Sequence, residues 1–155
     1  MPRTLVNEQR VLSEVPTPHP VSAAAVVLGT TYVASVLPWK GAPQGPWTGS
    51  SLSARMEAAV DELEPFLAGQ ERQVWGGDWN QTMHGPFDGS SKAGRARLQL
   101  ALERLELSLP TQELPRGALP MFTIDHIAVP GTTSKARHVA VDRRLSDHDA
   151  YVVDL

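Results

Sequence analysis

Apolar and polar positions change period several times along the chain, and each change marks an element. Val21 to Leu28 and Tyr32 to Leu37 are short apolar runs rich in valine and alanine, separated by Gly29-Thr30-Thr31. Runs of this length around a tight turn predict two adjacent strands joined as a hairpin. From Leu52 the apolar residues fall at Met56, Ala59, Val60, Leu63, Phe66 and Leu67, the spacing of one helical face. Ser51 or Ser53 can cap the start of that helix and Gly69 follows its last apolar residue, while Pro65 predicts a kink or an early end. Gln73 to Asp78 reads as a short strand, and Lys92 to Leu105 as a second helix with Leu98, Ala101, Leu102 and Leu105 in its stripe. Phe122 to Val129, His138 to Val141 and Ala150 to Leu155 predict three further strands. Strands alternating with two helices indicate a mixed α/β (α+β) layer architecture.

The intervening segments are punctuated by turn residues. Pro16, Pro18 and Pro20 block both a helix and a paired strand, so residues 1–20 are expected to form an extended lead-in to a domain over 21–155. Pro38 to Ser51 is a loop crowded with Gly and Pro that carries Trp39 and Trp47, and loops of this length are often functional.

Composition narrows the class. With 155 residues, 41% of them hydrophobic and 20% charged, the chain can bury a core of its own. The start alternates charged and apolar residues without the apolar core of a signal peptide, and no run approaches a membrane span, so a cytoplasmic location is expected. A net charge of −3 gives no overall attraction to polyanions. Local clusters remain able to meet phosphates, namely Arg95 with Arg97, and Arg137 with Arg143 and Arg144. The acidic balance and the lack of a basic stripe weigh against a metal-independent nucleic-acid module. There is no cysteine, which excludes disulfides, thiolate metal sites and cysteine nucleophiles. Any metal must be held by oxygen or imidazole.

Candidate chemistry gathers in three segments: Val74 to Asn80, Thr123 to Ile127 and Leu145 to Asp149. Each joins an apolar strand-like run to a polar pair, so three strand ends can present Asp78, Asn80, Asp125, Asp147 and His148 to one site. Asp78 and Asn80 are two apart, and an extended residue between them points both the same way. An Asp in that place can deprotonate a water, and an Asn can donate to an oxygen that is gaining charge. Asp125 interrupts an apolar strand, where a charge is expensive unless paired. A hydrogen bond to the imidazole of His148 would supply the pairing and fix its tautomer. Asp147 and its neighbour His148 suit Mg²⁺ or Mn²⁺ binding and phosphoryl contact respectively. Taken singly, Asp-x-Asn also describes an Asx turn, and Ser-Asp-His a surface turn.

The other candidates rank lower. His84 reads as a solvated loop residue with substrate within reach, His126 as facing the opposite side of the sheet from Asp125, and His19 and His138 as structural or exposed. Trp75 reads as core and Trp79 as packing beneath the site. Trp39 and Trp47, in their loop, are open to either packing or ligand contact.

Taken together, the Gly77-Asp78-Trp79-Asn80 motif after a strand, Ile124-Asp125-His126-Ile127 within a strand, and Ser146-Asp147-His148 near the end resemble the endonuclease/exonuclease/phosphatase superfamily, the DNase I-like proteins. The resemblance runs from about Val21 to Leu155. It implies part of a four-layer α/β/β/α sandwich with mixed, mainly antiparallel sheets, and divalent-metal-dependent hydrolysis of a phosphoester, with nucleic acid as the foremost substrate. It also implies that Asp78 positions or activates the attacking water, that Asn80 and His148 bind the phosphate, that Asp125 orients His148, and that Asp147 is a metal ligand or a neighbour of the metal site. The family's N-terminal half, with its metal-binding Glu and phosphate-site Asn, has no counterpart here: Glu8 and Glu14 lie in the lead-in. The strand ending at Ser35-Val36-Leu37-Pro38 offers no His or Tyr to the phosphate. A catalytically silent relative, kept for binding or oligomerisation through an exposed sheet face, is therefore the alternative expectation.

Overall fold

The protein is described from a computed structural model, which defines residues 12–43, 45–86, 90–117, 121–131 and 135–155. The hairpin expected from the first apolar runs is present as β2 (Ser22–Val27) and β3 (Thr30–Ser35), turning at Leu28 and Gly29, both at positive φ. That backbone suits the two-residue turns whose twist matches the strands they join. β1 (Leu12–Val15) adds an antiparallel strand beside β2, so the part of the lead-in just before the prolines is paired. The proline-bearing stretch that follows it takes no strand.

β4 (Gln73–Asp78) runs parallel to β3 after a crossover through α1 (Leu52–Ala68), and β6 (Asp125–Pro130) returns antiparallel on its far side. A two-residue strand, β5 (Leu107–Ser108), finishes a six-stranded sheet of order β1-β2-β3-β4-β6-β5. A second, two-stranded sheet pairs β7 (Ala136–Val139) with β8 (Ala150–Val153). The edge strands β1 and β5 lacked a periodic signal of their own, and pairing alone defines them.

Strand register separates the two faces of the large sheet. Ala24, Val33, Trp75 and Ala128 are successive cross-strand neighbours, and all four are buried. They pack under Met56, Ala59, Val60, Leu63 and Leu67 of α1 and Leu98, Ala101 and Leu102 of α2 (Lys92–Arg104), forming one core. Ser51 caps α1 by accepting from Ala54 N at 3.1 Å, and Ser91 caps α2 by accepting from Gly94 N at 3.1 Å. Pro65 lies inside α1, within its last turn. The helix continues to Ala68 because Leu67 beyond the proline is fully buried in the core.

The other register row, Ala23, Ala34, Gly76 and Ile127, faces away from the helices. Val153 and Leu155, at the end of the chain, meet this row near Ile127, and the rest of the face is an open apolar groove of about 520 Å³ beside the half-exposed ring of Tyr32. Among the described residues no helix is long and apolar enough to cross a membrane.

The ends of β3 and β4 are brought unusually close at Gly77. It lies at φ +132°, and a Cβ placed there would come within 2.1 Å of the Ser35 carbonyl oxygen. The neighbouring Trp75 Nε1 donates to Ser35 Oγ at 2.7 Å. Gly77→Ala should therefore force β3 and β4 apart at the strand ends and cost about 3 kcal/mol, measured by urea unfolding. A change under about 0.5 kcal/mol would show that the close approach is not required.

Candidate active site

Three polar residues converge where the parallel pair β3 and β4 ends, the edge of an open α/β sheet where crevices form. Asp78 closes β4 and Asp125 opens β6, and the register sets them directly opposite each other. Both point away from the helices, on the face that β7 and β8 adjoin. His148 arrives from the turn before β8, where its amide donates to Ser146 Oγ at 3.0 Å. Its Nδ1 lies 3.0 and 2.9 Å from the two oxygens of Asp125. An imidazole in that position donates its Nδ1–H to the carboxylate and leaves Nε2 for another partner.

Asp78, Asp125 and His148 each offer one ligand atom, and all three atoms lie within 4.8 Å of one another. Two half-buried carboxylates side by side raise each other's cost of ionisation. Burial lifts the Asp78 carboxyl above its ordinary range, against the opposing pull of the Asn80 amide, His148 and Arg116. Burial likewise raises Asp125, offset by the hydrogen bond from His148, with the charge of Asp78 adding to the rise. For His148, burial opposes the charged form, but the Asp125 hydrogen bond and the charges of Asp125, Asp78 and Asp147 outweigh it and raise its pKa. In metal-free protein an NMR titration of His148 should give a pKa above the ordinary histidine value, and Asp125→Asn should lower it. An unchanged titration in that variant would remove Asp125 as the orienting partner.

Asn80 is placed differently from the expectation of an extended strand. It sits at φ +51°, and its amide donates to Asp78 Oδ1 at 2.9 Å, which is an Asx turn. Its side-chain Nδ2 donates to Leu37 O at 2.9 Å, while Leu37 N donates to Asp78 O at 2.9 Å. The turn and the site thus coexist: the same Asx geometry fixes the Asp78 carboxylate and ties it to the end of β3. A groove of about 340 Å³ bounded by Pro20, Ser22, Val36, Gly77 and Asp78 opens beside it.

Asp147 does not join the three-residue cluster. It is exposed, and its carbonyl accepts from Arg143 Nη1 at 2.6 Å. His84 is half-exposed, 3.6 Å from Glu113 and edge-on to Phe122, at ring centroids 4.7 Å apart. His126 faces the opposite side from Asp125, buried with Nε2 2.9 Å from Gln81 O, and burial lowers its pKa to about 4. Trp79 is fully buried beneath the site, 4.4 Å from Trp75 between ring centroids. Trp47 is core, and Trp39 packs edge-on against it with part of its ring exposed.

Two groups escaped sequence reasoning. Asp149, next to His148, accepts from Arg143 Nη2 and the Val141 amide through Oδ1, at 2.7 and 3.2 Å, and pairs with His138 Nε2 at 2.7 Å. These partners cover its carboxylate, which lies near the surface yet is only 1% exposed. The hydrogen bond from His138, then that from Val141, hold its pKa down to about 2. Arg116, from the loop before β6, acts electrostatically on Asp78, Asp125 and Tyr151. No local motif announces either, because both depend on hairpins meeting in space.

No protein-family model matches the sequence, and no curated protein matches it. Solved structures do match its fold. A 3'-5' exonuclease (NExo) from Neisseria meningitidis superposes with a TM-score of 0.62 at 17% identity, over 91% of this chain and 72% of that one. A structure of the 3' phosphatase NExo from Neisseria, an Asp-to-Asn variant bound to product DNA hairpin, gives 0.58 at 18% identity over 85% and 63% of the two chains. The endonuclease domain of TRAS1, a telomere-specific non-LTR retrotransposon, gives 0.51 at 17% identity over 96% and 70%. The chain therefore has a DNase I-like fold, as its three motifs led one to expect, and spans part of the length of these neighbours.

Proposed function

We propose that this chain hydrolyses phosphoester bonds of nucleic acid, assisted by a divalent cation. The observation that carries the reading is the Asp125–His148 pair set beside a second raised carboxylate, Asp78, at the ends of converging strands. In this reading water attacks phosphorus, its proton passes to Asp78 as the new P–O bond forms, and the P–O bond to the ester oxygen breaks, the leaving alkoxide taking a proton from solvent. An ionised carboxylate placed against the attacking water can serve as the base for that proton. His148, kept protonated by Asp125, donates from Nε2 to a non-bridging oxygen as charge develops on it. Asn80, whose backbone amide and one side-chain N–H are engaged with Asp78 and Leu37, keeps a second side-chain N–H to bind a phosphate oxygen beside His148.

The donor set fits a hard cation. Adjacent half-buried carboxylates that resist ionisation are relieved by a divalent charge, and oxygen donors suit Mg²⁺ or Mn²⁺. Asp78 and Asp125 would hold it, with Asp147 supplying further negative charge next to His148. Bound there, the ion would supply Lewis-acid neutralisation of the phosphoryl oxygens.

Similarity to an exonuclease, a 3' phosphatase bound to product DNA and an endonuclease favours nucleic acid over other phosphoesters, and a cytoplasmic site of action suits the cysteine-free chain. The test is cleavage of labelled DNA and of a generic phosphodiester, with Mg²⁺ or Mn²⁺, alongside calorimetric titration of each metal. Turnover and metal binding, both lost in Asp78→Ala, support the reading. A folded chain that neither binds metal nor turns over rejects it.

The open apolar face around Ala34, Gly76 and Tyr32 favours a second reading, a silent relative that binds or oligomerises through this sheet. Light scattering distinguishes the two: an inactive chain whose self-association is abolished by Tyr32→Asp would support the second.

A further inference from the structure

Of the arginines that cluster in sequence, Arg95, Arg97, Arg143 and Arg144 are engaged within the protein, while Arg137 lies exposed on β7. Arg97 bridges Asp61 and Glu64 between the helices, at 2.6 and 2.5 Å. Arg143 binds Asp149 at 2.7 Å, Arg144 binds Asp142 at 2.6 Å, and Arg95 braces the loop at Gly85 O and Thr82 Oγ1, at 3.0 and 2.8 Å. Arg116 differs. Its guanidinium makes no hydrogen bond or ion pair to a described residue, and its backbone leads into β6, whose first residue, Asp125, faces Asp78.

Its position is fixed from both sides. Arg116 N donates to Met121 O, and Thr123 N donates to Leu114 O, both at 2.9 Å, closing a small hairpin that leads into β6. Pro115 O accepts from Tyr151 Oη on β8 at 2.9 Å. Gly117, at φ +59°, lies so near Arg143 that a Cβ would meet Nη2 at 2.6 Å. Arg143 in turn holds Asp149 Oδ1 and the carbonyl of Asp147. The residues flanking Arg116 are therefore fastened to the turn that carries His148, while its own five N–H donors remain without a fixed acceptor among the described residues.

We propose that Arg116 is a substrate-binding residue that takes a phosphate group of a nucleic-acid strand at the Asp78–Asp125–His148 centre, an assignment that rests on the hydrolase reading above. A half-buried guanidinium held by its backbone, near carboxylates but not paired with them, presents a preorganised fork suited to two phosphate oxygens. It also offsets the repulsion that those carboxylates exert on an incoming polyanion.

The test measures binding of a short fluorescent DNA strand by anisotropy, in EDTA and across a salt series, for the full chain, Arg116→Gln, Arg116→Lys and Arg104→Gln. Arg104 lies on α2, away from the site, and loses the same charge. Arg116→Gln should weaken binding about tenfold and reduce the slope of log K against log salt by about one. Arg116→Lys should recover the salt slope and only part of the affinity, and Arg104→Gln should match the wild type. Where cleavage is measurable, Arg116→Gln should raise KM more than it lowers kcat. Equal binding and equal salt slope in wild type and Arg116→Gln, or no DNA binding by folded wild type, overturns the proposal. An acid limb shifted to higher pH with KM unchanged also overturns it, because Arg116 would then serve only to neutralise Asp78 and Asp125. DNA binding that needs Arg116 in a chain that cleaves nothing keeps Arg116 as a nucleic-acid phosphate contact and removes the hydrolase reading.

Discussion

Asp78→Asn is expected to abolish phosphoester cleavage and, at neutral pH, to stabilise the fold. The activity loss follows from removing the base: an amide cannot take the proton of the attacking water, and general-base catalysis of this kind is worth about 10²–10⁴-fold. The stability gain follows from the direction of the pKa shift. The folded-state pKa of Asp78 lies above its ordinary value because of burial, so the folded protein binds that proton more tightly than the unfolded chain. Stability is therefore lost as pH rises from the unfolded to the folded pKa, and at neutral pH the ionised group is a net cost. Asn keeps an oxygen to accept from the Asn80 amide and carries no charge beside Asp125. Discounted for partial exposure, the gain is about 1 kcal/mol at most, or roughly 2–4 °C in Tm. It should shrink toward about pH 3, below the ordinary Asp pKa, where the wild-type carboxyl holds its proton in both states. Thermal melts at the two pH values check this; destabilisation at neutral pH would mean that Asp78 is held for structure rather than for chemistry.

His148→Ala should lower kcat/KM by about 10²–10⁴-fold while leaving the fold intact. The side chain is partly exposed and makes its polar contacts with Asp125, so its removal opens no core cavity. It does leave Asp125 without its hydrogen-bonding cation. The Asp125 pKa should then rise further, and the variant should bind Mg²⁺ or Mn²⁺ at a higher pH than the wild type. His148→Gln should retain a neutral donor and recover a small part of the rate. Comparison of cleavage rates and melting curves for both variants checks this, and a variant that melts normally and cleaves at the wild-type rate would exclude His148 from the chemistry.

The elements with strong periodicity were legible in the sequence. The stripe of α1, the stripe of α2 and the run Gln73–Asp78 appear with nearly the expected bounds, because burial against one shared core enforces the same pattern that reveals them. β1 and β5 were not legible, since short edge strands owe their existence to a neighbour's free hydrogen-bonding edge. Pro65 misled only locally: a proline in the last helical turn removes one hydrogen bond, and the burial of Leu67 outweighs that loss. At the site, the pairing of Asp125 with His148 was legible from the cost of a charge inside an apolar strand. The turn at Asn80 was expected only as the bland alternative to a site, whereas the geometry makes it the device that fixes Asp78. Asp149 and Arg116 were invisible because nothing in their local sequence distinguishes a residue that braces or faces a site from one in a solvated turn. The position of Asp147, exposed and outside the cluster, reflects a turn in which Arg143 holds the main chain rather than the side chain.

The most direct measurement is hydrolysis of a DNA phosphoester by the purified chain in water enriched in ¹⁸O, with Mg²⁺ or Mn²⁺, compared with Asp78→Asn. Attack by water on phosphorus at this centre requires a single ¹⁸O in the phosphoryl group of the phosphate-bearing product of the wild type, none in the new hydroxyl of the other product, and no product above background from the variant. A folded wild type that releases none, or an Asp78→Asn variant that releases labelled product at the same rate, would contradict the assignment of Asp78, Asp125 and His148 as a hydrolytic centre.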